Sequence, residues 1–109
     1  MMVARWSIDA KFGYKQNVID LMLRWAREIG PQAGFTAGKL RLLTGSIGAR
    51  EATIQTEHLV GDLAELNQVW DKLGTIPAHR QWSKDLEPFV VSGSNRWEIY
   101  RLIDMGSES

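Results

Sequence analysis

The spacing of hydrophobic and polar positions changes several times along the chain, and each change marks an element. Over residues 3–11, Ala4, Trp6, Ile8 and Ala10 alternate with Arg5, Ser7, Asp9 and Lys11. Successive side chains of a strand point to opposite faces, so this stretch predicts a half-buried strand, broken by Phe12 and Gly13. Over residues 14–29 the period lengthens. Val18, Leu21, Met22, Trp25 and Ile29 recur as one helix face, and Lys15, Asp20, Arg24 and Arg27 take the others. Gly30 and Pro31 are predicted to end this helix, the glycine by accepting a left-handed cap and the proline by lacking the N–H to continue it. A loop is predicted from there to residue 38.

Alternation returns over residues 39–46 and 50–60. Leu40, Leu42 and Thr44 oppose Lys39, Arg41 and Leu43; Ala52, Ile54, Thr56 and His58 oppose Thr53, Gln55, Glu57 and Leu59. Gly45, Ser46, Ile47 and Gly48 lie between the two runs, which predicts a hairpin. Asp62 can cap the helix that follows, and Glu65 can reach back to the cap. Leu63, Leu66, Trp70 and Leu73 form its apolar stripe and Gly74 closes it. Pro77 starts a shorter helix carrying Trp82 and Leu86, which Pro88 stops. The last strand, residues 96–103, sets Trp97, Ile99, Arg101 and Ile103 against Glu98, Tyr100 and Leu102.

The order β-α-β-β-α-β, with a short extra helix before the last strand, defines an α+β, ferredoxin-like sandwich. Both helices pack on one face of a four-stranded antiparallel sheet. Ala4, Trp6, Ile8, Leu40, Leu42 and Ile54 are predicted to face them. Arg5, Ser7, Asp9, Arg41, Leu43, Gln55 and Glu57 then share the open face, with Tyr100 joining them. Such a face is either wet, as one side of an antiparallel sheet often is, or enclosed against a second sheet in a homodimer. There, Arg5, Asp9, Arg41 and Glu57 could orient a polar substrate or act as acid and base, or simply form structural ion pairs.

Composition narrows the chemistry. Lys plus Arg equals Asp plus Glu at 13 each, so no basic surplus points to nucleic acid. The absence of cysteine excludes disulfides, zinc–thiolate sites and thiol catalysis. No apolar run is long enough for a membrane span, and no signal-peptide pattern opens the chain, so a cytoplasmic domain over residues 1–104 with a tail at 105–109 is expected. Two histidines cannot build a three-histidine site in one chain, and His58 and Glu57 point to opposite faces, so no metal site is expected. No nucleophile elbow or phosphate loop is present.

The segment from Gly38 through the Gly48 turn, the strand at 53–58, residues 63–66, Trp70, residues 77–82 and the ending at 95–102 together resemble the dimeric α/β-barrel superfamily of antibiotic-biosynthesis-type monooxygenases and NIPSNAP-like domains. The chain departs from the NIPSNAP-like pattern at Thr56, Glu57 and His58, where a tryptophan is usual, and at residues 49–51, where an asparagine is usual. The resemblance implies a homodimer with its sheets face to face, and a small-molecule pocket between each sheet and its helices or at the interface. Ligand-binding candidates are Arg5, Ser7, Asp9, Arg41, Gln55, Glu57, Trp70 and Tyr100. The implied chemistry is that of an oxygenase or isomerase that needs no cofactor. An alternative comes from the haem-degrading relatives, which place a tryptophan and a histidine as Trp70 and His79 are placed here; His79 would then ligate haem iron and be the catalytic residue. Against it stands the reading of Trp70 as a core residue and His79 as a surface histidine. A non-catalytic dimerisation or interaction module is the third reading.

Overall fold

The computed structural model describes residues 1–106; residues 107–109, part of the predicted tail, lie outside the described residues. The elements are β1 (Met2–Asp9), α1 (Lys15–Glu28), the one-turn α2 (Gly30–Ala33), β2 (Leu40–Thr44), β3 (Thr53–Val60), α3 (Leu63–Leu73), α4 (Pro77–Leu86) and β4 (Arg96–Arg101). The strands form one open antiparallel sheet in the order β2-β3-β1-β4. No described helix is long and apolar enough to cross a membrane.

Register decides what each face carries. Ala4 pairs with His58 and Ile99, and Trp6 with Thr56 and Trp97, on the side of the helices. Arg5 lies between Glu57 and Glu98, and Ser7 between Gln55 and Arg96, on the other side. Tyr100 pairs with Val3 and therefore belongs to the open face. Val18, Met22, Trp25 and Ile29 from the first helical segment meet Ile8 and Ile54 from the sheet, all buried. On α3 the buried stripe is Leu66, Val69 and Leu73; Leu63 is 52% exposed and Trp70 sits at the margin, so the helix is rotated slightly from the predicted stripe. The capping box forms as expected, with Asp62 Oδ1 accepting the Glu65 N–H at 2.8 Å and Glu65 Oε2 accepting the Gly61 N–H.

Three local expectations are corrected. Gly30 is not a left-handed cap: the chain turns from α1 into α2, Pro31 opens that turn, and the left-handed residue is Gly34 at φ 100°. Gly30 is glycine for lack of room, since a Cβ there would lie 3.0 Å from Trp25 Cζ3 and 3.3 Å from Phe35 Cβ. Gly30→Ala is therefore expected to lower stability by about 1–2 kcal/mol through overpacking, read by urea unfolding. β3 starts at Thr53 rather than residue 50, because the loop folds back on the strand end: Gly45 N–H bonds the Thr53 carbonyl at 3.1 Å while Thr53 N–H bonds that of Arg50 at 3.2 Å. β4 stops at Arg101 rather than residue 103, because β1 runs out of partners: the Leu102 N–H takes the Met1 carbonyl at 3.0 Å.

Candidate functional site

The helix side of the sheet is not packed solid. A cavity of about 350 Å³ lies there, and all five tryptophans and both histidines of the chain line it. Trp6 and Trp97 come from β1 and β4 as a cross-strand pair. Trp25 comes from α1, Trp70 from α3, Trp82 and His79 from α4, and His58 from β3. The rings meet at tilted or edge-on angles, with Trp25 and Trp82 centroids 6.3 Å apart and Trp70 and Trp97 centroids 5.2 Å apart. This geometry suits aromatic quadrupoles and holds the walls rigid.

The polar atoms of this wall are few. Trp82 Nε1–H donates to the Leu21 carbonyl at 2.7 Å. Trp25 Nε1–H donates to His79 Nδ1 at 3.0 Å, and the His79 ring stacks on Trp82 with centroids 5.8 Å apart and planes 16° from parallel. Burial holds the His79 imidazole below its ordinary pKa. Burial also pushes His58 down to about 4, Lys39 adding to the effect and Glu65 opposing it. His58 lies against Phe35 with ring centroids 3.9 Å apart. Among the described residues, His58 Nδ1 and Trp70 Nε1 are buried with no hydrogen-bond partner. Each such atom costs about 1–3 kcal/mol, which a ligand group could recover.

These residues do not fit haem. No arginine or lysine is among the described lining residues to pair with propionates. Because His79 Nδ1 accepts the Trp25 N–H, the neutral ring carries its proton on Nε2 and has no free lone pair for iron. Nor does any group of three His, Asp or Glu side chains among the described residues form a metal site.

The open face carries a different arrangement. Glu57, 5% exposed, accepts from Arg5 Nε at 2.9 Å and Arg41 Nε at 3.1 Å. The two guanidinium groups, Arg41 first, hold its carboxyl below the usual range against the opposing effect of burial. Arg5 also lies over the Tyr100 ring, 5.0 Å from its centroid. Gln55 Nε2 donates to Ser7 Oγ at 3.1 Å, and Asp9 accepts from Thr53 Oγ1 at 2.7 Å and pairs with Arg50 at 3.2 Å. Most of these polar groups are already one another's partners. Glu57→Gln is expected to lower stability by about 2 kcal/mol, less than for a fully buried pair because water still reaches both arginines. In a double-mutant cycle by urea unfolding, Glu57 should couple more strongly to Arg5 than to Arg41, whose side chain is 73% exposed.

The residues nominated from sequence therefore fall into two groups on opposite sides of the sheet. Arg5, Ser7, Asp9, Arg41, Gln55, Glu57 and Tyr100 share the open face, and Trp70 joins His79 in the chamber. Trp6, Trp25, Trp82, Trp97 and His58 also line the chamber but were not nominated. Periodicity put Trp6 and His58 on the side of the sheet that faces the helices and Trp25 on the apolar face of its helix, which is equally the signature of a core. The available signal was the concentration of tryptophan and histidine on that one side.

The molecule has the α+β, ferredoxin-like fold of NIPSNAP and antibiotic-biosynthesis-monooxygenase-type proteins. It is similar to a NIPSNAP family protein from Agrobacterium tumefaciens, with TM-score 0.79 and 16% identity over 95% of this chain and 94% of that one. A NIPSNAP-like domain protein from Burkholderia xenovorans gives TM-score 0.78 and 16% identity over 97% and 88%. SnoaB from Streptomyces nogalater, a cofactor-independent oxygenase, gives TM-score 0.66 and 10% identity over 95% and 94%. At these identities the likeness is one of fold. No protein-family model and no curated protein sequence matches the chain.

Proposed function

We propose that the chain binds a planar, largely apolar small molecule in the chamber between sheet and helices. The observation that carries this is the chamber itself: about 350 Å³ of space walled by the chain's five tryptophans and both histidines. Protein cores close voids larger than a water molecule, whereas ligand sites keep such space, with mostly apolar walls and a few polar groups for orientation. Indole faces accept a flat π-system, and His58, His79 and Trp70 supply the polar contacts. Calorimetric titration with 1-tetralone, a flat bicyclic ketone, tests this. Saturable 1:1 binding that weakens about tenfold or more in Trp70→Ala is expected; absence of binding at millimolar ketone would sink the proposal.

The shared fold with SnoaB supports a second reading, cofactor-independent oxygenation. Without metal or flavin, the substrate must itself reduce oxygen, and so must first be ionised. His58 Nδ1, buried with no partner, is the nitrogen available to take that proton, and its lowered pKa makes it a weaker base than a free imidazole. Oxygen uptake with 2-tetralone, whose α-protons are acidic, should exceed the buffer rate and fall in His58→Gln; uptake equal in both proteins would leave binding alone.

The partner proposed for the open face is a second copy of the chain. Tyr100 of the edge strand β4 lies on that face and, like Leu102 after it, is exposed in the single chain, and exposed apolar groups mark association surfaces. Light scattering at micromolar concentration should give twice the 12.3 kDa chain mass; a monomer there contradicts the pairing without touching the chamber.

A further inference from the structure

We infer that the chamber selects ligands bearing a hydrogen-bond-accepting oxygen, a ketone, enolate or phenolate, and that Trp25 sets this preference by fixing which nitrogen of His79 carries the proton. The inference rests on the chamber being a ligand site. An indole N–H can only donate, so His79 Nδ1, 3.0 Å from Trp25 Nε1, must accept. A neutral imidazole has one donor and one acceptor nitrogen, and the donor is then Nε2–H. Turning the ring over would break the Trp25 bond, so that bond holds both the orientation and the tautomer. Among the described residues, no protein acceptor engages Nε2.

A second observation points the same way. Trp70 Nε1–H, also in the wall, is buried without an acceptor. Trp82 shows the contrast: its N–H is satisfied by the Leu21 carbonyl. The chamber therefore has one buried donor lacking a partner, on Trp70; His79, which lines it, adds an Nε2–H that no protein group holds and that water reaches, and the neutral His58 ring adds one donor and one acceptor. A ligand oxygen that accepts is the complement. Trp25 is a positioning residue in this scheme: it acts on the ligand through His79.

The test compares 1-tetralone with tetralin, which has the same bicyclic frame and no oxygen, by calorimetric titration of the full chain. Wild type should bind the ketone about tenfold more tightly. Trp25→Phe, which keeps an aromatic ring and removes the N–H, frees the His79 tautomer but leaves the Trp70 donor, and should lower that preference by about twofold. His79→Gln should keep the preference, because a primary amide always has a donor. Adding Trp25→Phe to His79→Gln should then leave it unchanged. Equal affinities for the two ligands in wild type would overturn the inference alone, while binding of neither would overturn the chamber reading with it. A preference that falls equally with Trp25→Phe in both backgrounds would make Trp25 merely part of the wall and also overturn it. Should Trp25→Phe fail to fold, the histidine side-chain nitrogen resonances of wild type at pH 8 decide. Protonation of His79 at Nε2 is expected, and protonation at Nδ1 would overturn the inference.

Discussion

Trp82→Ala is expected to lower the unfolding free energy by about 4 kcal/mol, in the range for deleting a large buried aromatic ring. Trp82 is 5% exposed and packs against Trp6, Trp25 and His79. Its indole also ties α4 to α1 through the Leu21 carbonyl. The substitution removes a wall of the chamber and the link between two helices at once. For a domain whose whole stability is of order 5–15 kcal/mol, this is a large share. Trp82→Phe keeps most of the ring and should lose only about 1–2 kcal/mol, the lost volume and the freed carbonyl together. Urea unfolding of both variants separates the terms. A loss below 1 kcal/mol for Trp82→Ala would mean that the ring is not packed as described.

The second large effect is on acid stability. An unfolded histidine titrates near 6.5, whereas burial pushes His58 in the folded chain down to about 4. The unfolded state thus binds a proton that the folded state refuses. Stability from this group is fully present above pH 7, falls as the pH drops through 6.5 toward 4, and levels off below. The loss is about 3 kcal/mol over that window. His79, also lowered by burial, acts in the same direction. Glu57 adds a separate loss at lower pH, as its depressed carboxyl is protonated. His58→Leu should remove most of the loss between pH 7 and 4.5, as measured by urea unfolding at both values. An unchanged pH dependence in that variant would contradict the burial of a neutral His58.

Strand parity was legible because a period of two leaves little choice once a strand is recognised. Ala4, Trp6 and Ile8 against Arg5, Ser7 and Asp9 gave both faces of β1, and Asp62 with Glu65 gave the start of α3. The ends of elements were less legible because partners outside the local pattern decide them. β4 stops where β1 stops, and the helix boundary at Gly30 is set by the space left between Trp25 and Phe35. That Arg5, Arg41 and Glu57 share the open face follows from alternation; that they meet there follows from register, which alternation does not supply. The chamber does not follow from it. Periodicity assigns Trp6, Trp25, Trp82 and His58 to the inside, but it cannot distinguish rings packed against one another from rings standing around a space. The Trp25–His79 hydrogen bond joins side chains 54 residues apart in sequence, and no local pattern encodes it.

The chamber's role as a ligand site is tested most directly by the indole N–H resonances of the ¹⁵N-labelled protein during titration with 1-tetralone. The chain supplies five such signals, one from each wall tryptophan. Saturable shifts are expected, largest for Trp70, whose N–H has no protein acceptor, and smaller for Trp25 and Trp82, whose N–H groups are held by His79 and Leu21. Unmoved indole signals, with shifts confined to the backbone amides of Arg5, Ser7 and Glu57, would place the ligand on the open face and contradict the chamber.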